Sequence, residues 1–71
     1  MSRIVIDIEG MSCGHCTAAV ERALKAVPGV ERVEVTLEPG QARVEGTGLD
    51  AQALANAVRE EGYEVRGLHE D

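Results

Sequence analysis

Cys13 and Cys16 are the only thiols in the 71-residue chain, and they stand three positions apart with His15 between them. Thiols at this spacing occur as a disulfide, as a catalytic redox pair, as part of a zinc site, or as a two-thiolate site for a softer metal ion. A structural disulfide is disfavoured, because so short a ring stabilises a fold little and because cytosolic thiols stay reduced. Residues 1–10 lack the apolar run of a secretory signal, so we expect a cytoplasmic protein.

The number of further ligands near this pair indicates which metal it suits. Zinc in proteins normally takes four protein ligands in a structural site, or three plus water in a catalytic one. The chain has no second cysteine pair and no His-x-x-x-His segment downstream, so it offers two sulfurs and at most one neighbouring imidazole, that of His15. Monovalent copper is soft and accepts fewer ligands. The residues therefore favour Cu(I) over zinc.

Length and charge restrict the class of function. We expect residues 1–71 to form one domain with a thin core, in which Tyr63 is the single aromatic side chain. Such a domain has no room for a deep substrate cleft, which favours a binding module over an enzyme. The net charge of −6 and the scattered basic residues argue against nucleic acid and anionic membranes as partners. No stretch has the apolar length of a membrane span, so no membrane insertion is expected.

Alternating apolar residues predict four strands. These strands are at residues 3–8, 30–37, 41–45 and around Val65. In the second strand, Val33, Val35 and Leu37 alternate with polar residues and are predicted to share the buried face. Pro39 and Gly40 are predicted to be the two central residues of a tight turn, which makes the second and third strands a hairpin.

Two other segments have apolar residues at helical spacing. The first stripe consists of Cys16, Val20, Ala23, Leu24 and Val27, and the second of Ala51, Leu54, Ala55 and Val58. Pro28 and Gly29 end the first helix, and Asp50 is a suitable N-cap for the second. Gly62 is placed to close the second helix in a left-handed conformation. Residues 69–71, "HED", are expected to be a frayed tail.

The resulting order, β-α-β-β-α-β, consists of two similar halves. It predicts an α+β protein with the ferredoxin-like fold, in which two helices cover one face of a four-stranded antiparallel sheet. RNA-recognition domains share this order, but they stack bases on aromatic residues of the sheet, and this chain has no Phe and no Trp. Because the fold serves many functions, the function must be argued from the site.

The predicted order places Cys13 and Cys16 where the first strand leads into the first helix. Unpaired N–H groups and the positive end of the helix dipole favour a thiolate there, so at least one cysteine should have a lowered pKa. Ser12 is a candidate cap for this helix. Thiol-disulfide oxidoreductases use the same electrostatics, which makes a redox enzyme the alternative from another functional class. It is disfavoured because those enzymes need a larger fold.

The motif "GMSCGHC", residues 10–16, resembles the Gly-Met-x-Cys-x-x-Cys signature of the heavy-metal-associated domain family. The segments "CTAAVERAL", "VPGVERVEV" and "REEGYEV" resemble the same family, so that the likeness covers essentially the whole chain. It is most similar to the small bacterial copper chaperones. The family also includes N-terminal modules of copper-exporting P-type ATPases and periplasmic mercury-binding proteins.

This resemblance implies a role for several residues. Cys13 and Cys16 would hold Cu(I) in near-linear geometry, and Met11 would turn into the core and support the loop without binding the metal. Tyr63 would either shield the metal or simply pack half-buried. Ser12 favours copper, since zinc-exporting relatives often carry an acidic residue at that position.

The two histidines are less constrained by the resemblance. For His15 three roles stay open: a solvated loop residue, a third ligand, or a ligand in a homodimer bridged by copper through the cysteines. His69 is expected to have no specific role in the tail.

The function that the resemblance implies is a cytoplasmic copper chaperone. It would pass Cu(I) to the metal-binding domain of a copper-transporting P-type ATPase by exchange of thiolate ligands, with Cys13 exchanging first. The acidic surface predicts a partner with a basic docking patch. The alternatives are a domain for Zn(II), Cd(II) or Hg(II), and a module cut from a heavy-metal ATPase.

Overall fold

The computed structural model describes residues 2–70, in which strands and helices follow the predicted order. The elements are β1 Ser2–Glu9, α1 Gly14–Lys25, β2 Val30–Thr36, β3 Gln41–Gly46, α2 Ala51–Glu60 and β4 Glu64–Glu70. The strands form one sheet in the order β2-β3-β1-β4, and each neighbouring pair is antiparallel. The prediction of an α+β, ferredoxin-like fold is confirmed. No helix within residues 2–70 has the length and apolar character needed to cross a membrane.

The core lies between one face of the sheet and the two helices. In β1, Ile4, Ile6 and Ile8 are buried, while the residues between them are more exposed. The buried apolar side chains of the helices are Val20, Leu24, Leu54, Ala55 and Val58. This alternation in strands and periodicity in helices is what the sequence pattern predicts, because each element has one face turned away from water.

The opposite face of the sheet is polar and carries cross-strand pairs. Arg3 Nη2 lies 3.0 Å from Glu45 Oε2, and Arg66 Nε lies 3.3 Å from Glu9 Oε1. Both arginines and Glu9 are exposed and Glu45 is half-buried, so each ion pair remains accessible to solvent and contributes little to stability.

Both predicted ends of α2 are confirmed. The Asp50 side chain accepts hydrogen bonds from the backbone N–H groups of Gln52, at 3.0 Å, and Ala53, at 3.4 Å. Gly29 and Gly62 follow α1 and α2 with φ values of 89° and 94°, in the left-handed region that favours glycine. Both helices therefore stop where the chain turns back toward the sheet.

Two predictions about α1 are wrong. The helix begins at Gly14, inside the cysteine motif, and ends at Lys25, before Val27. Its N-cap is Cys13 rather than Ser12, and no side chain caps this end. The first turn is instead closed by the Cys13 carbonyl, which accepts from the N–H of Cys16 at 3.0 Å.

The predicted turn between β2 and β3 is displaced by one residue. Thr36 pairs with Gln41, so the connecting residues are 37–40, and Pro39 and Gly40 are the last two of them rather than the central two. As a consequence, Leu37 lies outside β2 and is exposed, not buried beside Val33.

The predicted frayed tail is also wrong where it is described. His69 and Glu70 belong to β4 and pair with Val5 and Ile4 of β1. His69 Nε2 lies 3.2 Å from Asp7 Oδ2, and the pKa of Asp7 is below its usual range because its carboxylate accepts hydrogen bonds from Gln41 and His69. His69 therefore has a specific contact, contrary to the expectation. Asp71 lies outside the described residues.

Candidate metal centre

Three connecting segments meet at one end of the molecule. These segments are the metal loop, residues 10–13 after β1, the β2–β3 turn, residues 37–40, and the segment 61–63 before β4. The Ile8 N–H donates to the Gly40 carbonyl at 2.8 Å, which joins the β2–β3 turn to the strand leading into the metal loop. A Cβ on Gly10 of the metal loop would stand 3.4 Å from Tyr63 Cδ1, which places the third segment beside the same site. Residues distant in sequence therefore surround the cysteine pair.

The two cysteines converge at the start of α1. Cys13 is the N-cap in extended conformation, with φ −158° and ψ 173°, and Cys16 lies in the first turn of the helix. Their Sγ atoms are 3.6 Å apart, and both thiols are free. Cys13 is exposed, while Cys16 is half-buried. The Cys-x-x-Cys spacing thus gives two sulfurs that face one point, one of them open to solvent.

The surroundings of Cys16 favour its thiolate. Its pKa is lowered from 9.0 to about 6, chiefly by a backbone hydrogen bond from Ser12, then by the hydroxyl of Tyr63 and the thiol of Cys13. Partial burial acts in the opposite direction and is outweighed. Cys16 is therefore mostly ionised at neutral pH, as the position at a helix start predicts. A thiolate is the form of cysteine that binds metals and acts as a nucleophile.

Tyr63 contacts both the site and the core. It is half-buried and packs against the hydrophobic core. Its pKa is raised, mainly because its hydroxyl donates a hydrogen bond to Cys16, an interaction that ionisation of the phenol would destroy. Gly10 lies beside the ring, and a Cβ there would stand 3.4 Å from Tyr63 Cδ1. The structure therefore confirms the half-buried packing of Tyr63, while shielding of a metal by Tyr63 stays a prediction.

Met11 supports the metal loop from the inside. It is half-buried and packs against the core, as predicted for a residue that supports the loop. Gly40 lies beneath it: a Cβ at that position would be 3.5 Å from Met11 Cε and 2.5 Å from the Ile8 carbonyl oxygen. The second distance is far inside van der Waals contact, so the β2–β3 turn reaches the loop this closely because residue 40 has no side chain.

His15 lies within α1 and is exposed. Within residues 2–70, no three side chains from His, Cys, Asp and Glu are grouped as metal ligands. Of the candidate ligands, the structure brings the thiols of Cys13 and Cys16 together. The roles of His15 as a third or bridging ligand stay predictions.

Sequence reasoning missed several residues that shape the site. The backbone amide of Ser12 has the largest effect on Cys16, although Ser12 was considered only as a side-chain cap. The close approach of Gly40 to Ile8 and Met11 was also missed, because Gly40 was predicted to be a central residue of the β2–β3 turn and is its last residue. A Gly beside the end of a predicted hairpin was the available signal for it.

Comparison with known proteins shows the family to which this chain belongs. The family profile "Heavy-metal-associated domain" matches residues 5–64. The chain belongs to this family. A relative named copper chaperone CopZ, from Staphylococcus aureus (strain bovine RF122 / ET3-1), is 42% identical over 67 residues, which cover 92% of this chain and 98% of the relative.

Two solved structures show the same fold. One, named CopZ metallochaperone, has a TM-score of 0.86 and 39% sequence identity. The alignment covers 90% of this chain and 98% of the chain of that structure. The other, a copper binding domain from HMA7, a P-type ATPase, has a TM-score of 0.93 and 29% identity, covering 100% of this chain and 99% of its own. The fold thus occurs both in a metallochaperone and in a transporter domain.

Proposed function

We propose that this protein is a cytoplasmic copper chaperone that binds Cu(I) through Cys13 and Cys16 and passes it to the metal-binding domain of a copper-transporting P-type ATPase. It is a carrier rather than an enzyme. The observation that carries the proposal is the pair of free sulfurs 3.6 Å apart at one exposed end, with Cys16 already favouring its thiolate. The similarity to proteins named copper chaperone CopZ supports the choice of metal.

The distance between the sulfurs suits a single ion. Metal–thiolate bonds are about 2.3 Å long for zinc, so two sulfurs on one ion are at most about 4.6 Å apart. The observed 3.6 Å lies within that span. A more linear S–Cu–S arrangement requires the sulfurs to separate by roughly 1 Å, given bonds of this length. Exposed Cys13, at the end of the metal loop, is the ligand free to make that movement.

Transfer follows from the unequal exposure of the two ligands. A partner thiolate approaching from solvent reaches the copper on the side of Cys13, giving an ion held by three sulfurs. Cys13 then leaves, the second partner thiolate binds, and Cys16 leaves last. Copper stays bound to sulfur throughout, so no free ion is released. Substitution of Cys13 should therefore slow transfer more than substitution of Cys16, and equal slowing would contradict this order.

Copper binding is tested by anaerobic titration of the reduced protein with Cu(I) against a chromogenic chelator. We expect one copper to be withdrawn from the chelator by the wild type and none by the Cys13→Ser/Cys16→Ser variant, while Zn(II) binds far more weakly. The His15→Ala variant tests the auxiliary-ligand role: weaker binding of Cu(I) would support that role, and unchanged binding would oppose it. Retained binding in the double cysteine variant, or equal binding of zinc, would contradict the proposal. The molecular mass of the loaded protein then tests for a copper-bridged homodimer.

A further inference from the structure

Three arginines that are far apart in the sequence meet on the outer face of the sheet, the face turned away from the helices. Arg3 lies in β1, Arg32 in β2 and Arg43 in β3, and each alternates with buried residues of its strand. They are three of the seven basic residues of a chain whose net charge is −6. The strand pairing thus gathers basic residues that are scattered along the sequence.

The register of the strands sets the arrangement of this arginine patch, Arg3, Arg32 and Arg43. Glu45 of β3 is paired with Arg3 on one side and with Arg32 on the other. Arg43 precedes Glu45 by two residues in β3, so it is diagonal to both of the other arginines. Diagonal neighbours in a sheet are about 7–8 Å apart, a distance that long side chains can span. The three guanidinium groups therefore belong to one small area of the sheet.

A cavity of about 170 Å³ lies within the patch, lined by the three arginines, Glu34 and Glu45. Glu45 Oε2 lies 3.0 Å from Nη2 and 3.1 Å from Nε of Arg3, which fixes that arginine. The second carboxylate is held more loosely, since Glu34 Oε1 lies 3.9 Å from Arg43 Nη1. Among residues 2–70, no carboxylate forms an ion pair with Arg32. The lining therefore carries three positive charges against two negative ones, with N–H donors of Arg32 and Arg43 available to a ligand.

The chemistry of this lining favours a phosphate group. A guanidinium is planar and can donate two parallel hydrogen bonds to a phosphate, which makes arginine a common phosphate ligand. The volume of the cavity is well below the roughly 300 Å³ at which sites for drug-sized molecules begin. A phosphate or diphosphate group has the charge and the size that this cavity can accept.

The surroundings of the patch restrict the ligand to a small one. On the outer face of β1, the strand continues from Arg3 to Asp7 and Glu9, and exposed Glu31 stands beside Arg32. A long polyanion such as nucleic acid would extend over these carboxylates and be repelled by them. A compact phosphate compound would contact the arginines alone.

We infer that the arginine patch is a binding site for a small phosphate compound, whose oxygens accept hydrogen bonds from Arg32 and Arg43. The site is separate from the metal centre. Arg3 stands near the start of the 8-residue strand β1 and the metal loop follows the end of this strand, so the two are roughly 20 Å apart. The inference does not depend on the proposed function.

The test is an NMR titration of the reduced, metal-free, ¹⁵N-labelled protein with inorganic pyrophosphate. Sodium chloride at equal ionic strength is the reference, because salt alone screens exposed charges. We expect saturable shifts of the backbone amides around the arginine patch that chloride does not produce. Shifts that chloride reproduces, or that concentrate at the metal loop, would overturn the inference.

Four single substitutions assign the binding to the patch. Arg32→Gln should weaken the binding of pyrophosphate about fivefold, the effect of losing one solvent-exposed guanidinium contact. Glu45→Gln should strengthen it by a similar factor, because glutamine still accepts a hydrogen bond from Arg3 but does not repel the ligand. Arg22→Gln and Glu21→Gln make the same changes of charge on α1, in the other layer of the fold, and should leave the affinity unchanged.

Two results of these comparisons would overturn the inference. If Arg22→Gln weakens the binding as much as Arg32→Gln does in proteins of unchanged melting temperature, the binding follows the net charge and not the patch. A short oligothymidylate should bind no more tightly than pyrophosphate, since its further phosphates would meet the carboxylates around the patch. Tighter binding of the oligothymidylate would show that the ligand is a nucleic acid rather than a small compound.

Discussion

Replacement of Tyr63 by phenylalanine should raise the pKa of Cys16. The tyrosine hydroxyl donates a hydrogen bond to the Cys16 sulfur, and this bond is stronger when the sulfur is ionised. Phenylalanine keeps the half-buried ring in place and removes only that donor. The substitution therefore separates the effect of the hydroxyl on the thiol from the effect of the ring on the core.

The magnitude follows from the contacts of Cys16. Hydrogen bonds from Ser12, Tyr63 and Cys13 bring its pKa from 9.0 to about 6 against the effect of burial. The Tyr63 bond is the second largest of these contributions, so its loss should raise the pKa of Cys16 by on the order of one unit, to roughly 7. The fraction of Cys16 in the thiolate form then falls about tenfold at pH 5 and changes by less than about a tenth at pH 8.

The assay is an NMR titration of the reduced, metal-free protein with ¹³C-labelled cysteine, which follows the Cβ shifts of the two cysteines separately. We expect the midpoint of Cys16 to move upward by about one pH unit in Tyr63→Phe. Thermal unfolding monitors the fold, and Tyr63→Ala serves as the comparison in which ring and hydroxyl are both lost. A Cys16 midpoint that stays at the wild-type value in a folded Tyr63→Phe protein would refute the reasoning.

Three further predictions concern stability. Gly40→Ala should lower the free energy of unfolding by about 1–3 kcal/mol, because its Cβ would meet the Ile8 carbonyl. Gly14→Ala, which has open space around the added Cβ, should not lower it. Equal losses of unfolding free energy in chemical denaturation would contradict this. Asp50→Ala should cost about 1 kcal/mol in the same assay and Asp50→Ser much less, because serine still caps α2. The free energy of unfolding of the metal-free protein should rise from pH 7 to 9 relative to that of Cys16→Ser. In that range the thiol of the unfolded chain still holds a proton, which native Cys16 has lost because of its lowered pKa. Parallel profiles of unfolding free energy against pH would contradict this.

Errors in the prediction from sequence occur where local signals and long-range pairing disagree. Residues 69 and 70 have no apolar pattern and resemble a tail, yet they complete β4 because β1 offers backbone partners as far as Ile4. Leu37 continues an apolar alternation, yet β2 ends one residue earlier, where Thr36 pairs with Gln41. The apolar stripe of α1 begins only at Cys16, whereas the helix begins at Gly14, because glycine and histidine in the cysteine motif give little sign of a helix.

The order of the elements, the faces they bury and the spacing of the two thiols could all be predicted from local patterns along the chain. Periodicity, helix caps and glycines act over a few neighbouring residues, so they can be read along the chain. Only the tertiary structure decided what surrounds those thiols. The hydroxyl of Tyr63 meets Cys16, and Gly40 meets the strand before the metal loop, because antiparallel pairing brings three distant connections to one end of the sheet. The ionisation of Cys16 and the surface offered to a partner depend on contacts that no local pattern encodes.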